Sequence, residues 1–238
     1  MTSTTFKHLG LALVAGLAAA PAWAQGVGYR AYTAPNELRF RLGLFEPSGE
    51  SAYWQDKQID FTGEPEDFED LIVGGEYLRR LGGRASLVAG ASAYSTESSQ
   101  FYRAFVDENG LDIVHDTLLE IASLTLGVRA SLTGSEAPLQ PWVGAGGGLY
   151  FWNLEESGDF IAFTDPEPFI FSATFVDDGA AFGWYYGAGL DVPLGSAVVL
   201  FAEARWHEAE DELSGDFEGL GDLDLSGREF AGGISWRF

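Results

Sequence analysis

Charges recur at even spacing in this chain: Arg39 and Arg41 in ELRFRLG, Glu203 and Arg205 in FAEARWH, Glu229 and Arg237 around FAGGISW. Residues two apart on an extended strand share a face. Four bases, Arg39, Arg41, Arg129 and Arg205, fall on the same strand faces as four acids, Glu76, Asp191, Glu203 and Glu229. In a narrow interior of low dielectric these eight would form ion pairs, because an unpaired buried charge is costly. The same charges could instead line an ion path, and spacing does not separate the two readings.

A second set is the acidic run HEAEDE, where Glu208, Glu210, Asp211 and Glu212 offer oxygen ligands for calcium or magnesium. No D-x-[DN]-x-[DN]-G spacing accompanies them, so a solvated acidic face is expected, with weak divalent-cation binding by the loops as the alternative. A third is hydrolytic. The histidines beyond the N-terminal leader are His115, beside Asp116, and His207, in EARWHEAE. Neither forms a nucleophile–base arrangement with a serine, so no enzyme activity and no cofactor are expected.

What must position these groups is a set of strands. Alternation recurs eight times. Asn36 to Phe45 puts Leu38, Phe40, Leu42 and Leu44 opposite Arg39 and Arg41, and Glu69 to Arg79 puts Leu71, Val73 and Tyr77 opposite Glu76. Ala85 to Tyr94 follows, and Leu118 to Leu132 sets Leu124, Leu126, Val128 and Ala130 against Ser123, Thr125 and Arg129. Pro141 to Asn153 is glycine-rich, and Trp142, Tyr150 and Trp152 are taken as its apolar outer face. Phe182 to Val192 sets Phe182, Trp184, Tyr186 and Leu190 against Tyr185, Gly187, Gly189 and Asp191. Ala197 to His207 and Leu225 to Phe238 close the series, the last with Phe230, Ile234, Trp236 and Phe238 on one face.

Short and long connections alternate along the series. Arg80–Gly83, Thr133–Pro138 and Pro193–Ser196 are tight; 46–68, 95–116, 154–179 and 208–224 are long. All long loops therefore lie at one end of a closed meander, which a soluble sandwich would not show. The long loops hold 27 of the 36 acids, against Lys57 and Arg103 as their bases. Within loop three, FIAFTDPEPFIFSATF is apolar enough for a hairpin standing above a membrane or for a partner's patch.

The N-terminus carries Lys7 and His8, the apolar run Leu9–Ala20, and a small-x-small cleavage pattern at Ala22 and Ala24. Residues 1–24 read as a cleaved signal peptide, 25–35 as a short periplasmic segment, and 36–238 as the barrel domain. The mature chain would hold 214 of 238 residues, with 12 bases against 36 acids and a net charge of −24. That charge excludes a nucleic-acid partner. Cysteine is absent, so there are no disulfides. No run of about 18 apolar residues is present, but a tilted strand needs only about nine to eleven to cross the hydrocarbon. The apolar faces have that length, and their aromatics gather toward the ends, as membrane interfaces favour. The other faces carry glycine, serine and single charges, which suits the filled lumen of a small barrel. The fold class expected is all-β: an eight-stranded antiparallel transmembrane β-barrel with short periplasmic turns and long extracellular loops.

The C-terminal FAGGISWRF, with Phe230, Ile234, Trp236 and Phe238 alternating, resembles the terminal signature strand of Gram-negative outer-membrane barrels. PWVGAGGGLYFW, FGWYYGAGLDVPLG and SAVVLFAEARW are similar to successive hairpins of the OmpA-like and opacity-type eight-stranded family. The resemblance implies that the last strand closes on the first and that its terminal aromatics are an assembly signal read by the barrel assembly machinery. It implies a multi-pass protein of the cell outer membrane, in contact with lipid and lipopolysaccharide. Some barrels of this architecture modify lipid A with a serine–histidine arrangement, and His207 lacks the serine two residues on that such a site would need. Since a fold does not fix a function, the expectation is a non-enzymatic surface protein serving envelope integrity, adhesion or recognition. A small porin-like channel is the alternative and a lipid A-modifying enzyme a more distant one.

Overall fold

The computed structural model describes residues 34–163 and 167–238. The signal peptide with Ala22 and Ala24, and nearly all of the 25–35 segment, lie outside the described residues.

Among the described residues, ten strands and one α-helix organise the chain. The strands are β1 (Asn36–Pro47), β2 (Asp70–Gly82), β3 (Ala85–Val106), β4 (Asp112–Ser131), β5 (Gln140–Ala162), β6 (Phe169–Pro193), β7 (Val198–Glu208), β8 (Glu210–Glu212), β9 (Asp222–Asp224) and β10 (Gly227–Arg237). The helix α1 is Ala52–Asp60. Strands β1 to β7 and β10 form a closed antiparallel barrel of up-and-down order, and β8 pairs with β9 in a separate two-stranded sheet.

Closure occurs where the sequence places it. β10 runs antiparallel to β1, with Trp236 opposite Leu38 and Phe230 opposite Leu44. Phe238 and Asn36 exchange both backbone hydrogen bonds, at 3.0 and 3.1 Å, so the last residue is tied into the seam.

Side-chain period decides the two faces. Leu126 is 71% exposed and Phe182 76%, and Leu42, Leu124, Phe230, Ile234 and Trp236 project beside them. In water so large an apolar patch would be a liability; around a closed barrel it is a lipid-facing belt. At the long-loop end, Trp206, Tyr186 and Trp184 stack in a row, with ring centroids 5.4 and 5.7 Å apart.

Strand β5 overturns the assignment of its faces. Trp142, Tyr150 and Trp152 are buried inside, while Val143, Leu149 and Phe151 face outward. Space on the neighbouring strand sets the phase. A Cβ at Gly189 would lie 2.7 Å from the Trp142 ring, and one at Gly179 would lie 2.6 Å from Trp152. Inward glycines on β6 therefore make room for inward rings on β5. The remaining strands keep the expected faces: Arg39, Arg41, Glu76, Asp191, Glu203 and Arg205 are all buried, and Leu38, Leu71, Leu126 and Leu200 are exposed.

Two of the four expected long loops are largely strand. β3 and β4 pair as far as Val106 opposite Asp112, and β5 and β6 pair as far as Ala162 opposite Phe169. Above the belt the outer face becomes mixed: Ser99 donates to Asp116 and Ser172 to Asp159, both at 2.5 Å, while Phe101, Val114, Ile170 and Val176 stay exposed among them. The strand geometry continues where the hydropathy contrast fades. The hairpin expected in loop three is present, its 164–166 tip lying outside the described residues.

Connections one and four fold inward over the barrel mouth. In α1, Tyr53, Trp54 and Lys57 are buried together, since positions three and four apart share a helix side. Trp54 Nε1 donates to the Asp224 carbonyl at 3.3 Å, joining connection one to connection four. Among the described residues no helix is long and apolar enough to cross a membrane; the strands are what cross.

Candidate functional site

The interior has two storeys. The lower one lies within the membrane belt and is held by charge. Arg39, fully buried on β1, donates to Asp191 on β6 at 2.6 Å, to Glu37 at 2.9 Å and to Glu203 on β7 at 3.5 Å. Arg41 reaches Glu203 at 3.3 Å and Glu229 at 3.2 Å. Arg205 reaches Glu76 on β2 at 2.6 Å and Glu203 at 2.8 Å, and Arg129 on β4 pairs with Asp191.

All eight charges read from the sequence are thus inside and paired, in bonds that cross the lumen from wall to wall. Glu203 is the hub, shared by Arg39, Arg41 and Arg205. Two further members join them. Arg237 donates to Glu37 at 2.8 Å and to Gln140 at 3.1 Å, and Glu37 also pairs with Arg39. Both lie on inward positions that strand parity alone would have reached. With them the network holds five arginines and five carboxylates, a neutral balance that keeps no charge unmatched in low dielectric. Rings cover the guanidinium faces: Arg39 sits 4.3 Å from Phe201, and Arg129 sits 4.2 Å from Trp142.

His207 tops this storey. Its ring nitrogens lie 3.1 Å from the Tyr150 hydroxyl and 3.0 Å from Glu229. Above it the lining turns apolar. Phe45, Ile72, Tyr94 and Ile121 on the barrel wall pack with Trp54, Phe68, Leu223 and Leu225 from connections one and four. A cavity of about 20 Å³ lies beneath them, lined by Tyr94, Tyr150 and His207 among others, room for about one water. The cap is therefore an apolar core built from loops, seated in a cup of strand extensions.

One polar cluster anchors it. Lys57 of α1 donates to Thr117 on β4 at 2.6 Å and pairs with Glu156 on β5, to which Tyr53 also donates at 2.6 Å. Burial works against the ionised Glu156, but the Lys57 ammonium and the Tyr53 hydroxyl outweigh it and hold the carboxyl below its usual range. His115 stands in the same cup, 4.3 Å from Phe61 and 5.4 Å from Phe160, with no partner for either ring nitrogen among the described residues. Burial, helped by the nearby Lys57 charge, pushes its pKa down to about 4.

The acidic run is not brought together as a metal site. Glu208 and Glu210 are exposed, Asp211 accepts from Trp152 Nε1 at 2.7 Å, and Glu212 is exposed on β8. Among the described residues no group of three or more acids and histidines is placed to hold a metal ion. The β8–β9 ladder turns Asp211 to the face opposite Glu210 and Glu212, where Trp152 engages it.

No protein-family model matches the chain, and no curated protein matches it in sequence. Solved structures do match. The outer membrane protein OprG from Pseudomonas aeruginosa superposes with a TM-score of 0.56 at 11% identity, covering 86% of this chain and 96% of that one. Neisserial surface protein A (NspA) superposes with a TM-score of 0.50 at 10% identity, covering 85% of this chain and 96% of that one. The likeness is one of fold. This chain has the fold of the eight-stranded outer-membrane β-barrels.

Proposed function

We propose that this protein is a non-enzymatic surface barrel of the outer membrane that holds an acidic, structured ectodomain above the lipid. Its role lies in adhesion, recognition or envelope integrity. The observation that carries the reading is the interior: bonds through Glu203 span the lumen, and an apolar cap covers its mouth. A barrel filled in this way is a scaffold rather than a path. The two histidines support the same reading, His207 being engaged by Tyr150 and Glu229 and His115 being enclosed by rings.

Liposomes carrying the protein should not swell in small sugars, and lipid A mass spectra should be identical with and without it. Swelling would favour the porin-like alternative, and altered lipid A the enzyme. We also propose Phe230, Ile234, Trp236 and Phe238 as the signal read by the barrel assembly machinery. Deleting Phe238 should leave unfolded protein in the periplasm; normal yields of heat-modifiable barrel from the truncated chain would remove that role. At the outer rim the acids face lipopolysaccharide phosphates. Salt screening is the expected mediator there, with divalent cations as the alternative.

A further inference from the structure

In an acidic chain, the arginines gather at the periplasmic mouth. Arg80, Arg84, Arg129 and Arg237 line one open cavity of about 40 Å³ there, together with Glu37 and Asp191. Four bases face two acids, so the mouth carries a net charge of +2. Both acids are already engaged. Glu37 accepts from Arg39, Ser235 and Arg237 at 2.8 to 2.9 Å, and Asp191 accepts from Arg39 and Arg129.

Three donors remain unmatched by any acid. Arg129 Nη1 is buried and has no hydrogen-bond partner among the described residues, although its side chain is only 10% exposed. Arg80 makes no ion pair among the described residues, and it follows Leu78 on the inward side of β2, so it points to the mouth rather than to lipid. Arg84 donates Nη1 to the Leu132 carbonyl at 3.1 Å and meets no carboxylate. The cavity has room for about three waters, the size of one tetrahedral oxyanion. Guanidinium groups suit that ligand because their planar forks match phosphate oxygens two at a time.

We propose that the periplasmic mouth is a phosphate-binding site formed by Arg80 and Arg84, with Arg129 and Arg237 completing the positive rim. The ligand is a phosphate monoanion or dianion, either free or as the headgroup of a lipid. The site faces the periplasm and is separate from the acidic ectodomain.

Calorimetry on the full chain, refolded in a maltoside detergent at low ionic strength, tests this with two probes: inorganic phosphate and glycerol 3-phosphate. Saturable binding of at least one probe is expected. The double variant R80Q/R84Q should weaken it at least tenfold, each single variant should lose part of that, and R228Q at the opposite rim should leave it unchanged. Tighter binding of glycerol 3-phosphate assigns the site to lipid headgroups, and tighter or equal binding of inorganic phosphate assigns it to the free anion. Neither Arg80 nor Arg84 belongs to the lumen network, and heat-modifiability of each variant checks that the barrel is intact. Absence of saturable binding for both probes, or a folded double variant that binds as tightly as the parent, overturns the proposal.

Discussion

The lower and upper storeys of this barrel are enclosed by the same strands and fill their interiors in opposite ways. Below, five arginines and five carboxylates interlock across the lumen, and every group comes from the wall itself. Above, the wall presents Tyr94, Ile121 and Leu119, and the filling comes from connections one and four. A charged interior is held by mutual dependence, since each ion is tolerable only while its partners stay. An apolar core made of loops is held by area, and it can be lost locally without opening the wall. The lower storey should therefore fail globally and the upper one locally.

The largest effect should follow Glu203→Ala. Three arginines lose a shared partner and stay buried, so unfolding stability should fall by about 3–5 kcal/mol. The heat-modifiability transition of the whole barrel should shift downward; an unshifted transition would mean that the network contributes no stability. Next comes Trp54→Ala in the cap. It removes a side chain only 2% exposed, which should cost about 3 kcal/mol, confined to the loops. Hydrogen exchange in α1 and connection four should accelerate while the barrel transition stays in place. A matching loss in barrel stability would erase the distinction between storeys.

A third effect, confined to the acid side of neutrality, is set by pH. The unfolded imidazole of His115 gains its proton below about 6.5, while the folded ring stays neutral until about 4. The unfolded cap thus binds more protons across that window, so cap stability falls as pH drops from 6.5 to 4 and is unaffected above it. Glu156 acts in the same direction at lower pH, because its ionised contact with Lys57 is lost below the ordinary carboxylate range. Protease sensitivity of connection one should rise through the window, and His115→Phe should flatten the upper part of the profile. An unchanged profile in that variant would remove His115 as the cause.

The lower storey was legible because a two-residue period is visible wherever one face meets hydrocarbon. Arg39 against Leu38 and Glu203 against Ala202 need no structure to be sorted. Glu37 and Arg237 obey the same parity, Arg237 lying between Trp236 and Phe238 on the face opposite the apolar stripe; parity alone does not show that the two meet across the β1–β10 seam. The β5 phase was not legible, because Gly144 to Gly148 carry no side-chain contrast; the inward glycines of β6 decide it through space. The upper storey was hidden for a further reason. Once the strands leave the membrane, both faces turn polar or mixed, and Gln100 and His115 read as loop although they line the cup. Acid-rich connections looked solvated, yet Trp54, Phe68, Phe217 and Leu223 within them are buried.

The closed interior is the centre of the account, and single-channel recording in planar bilayers tests it most directly. The unmodified protein, inserted in its heat-modifiable folded form, should leave the bilayer at baseline current in concentrated potassium chloride. A large and steady conductance step with each insertion would contradict it, and would mean that the charges around Glu203 line a pore.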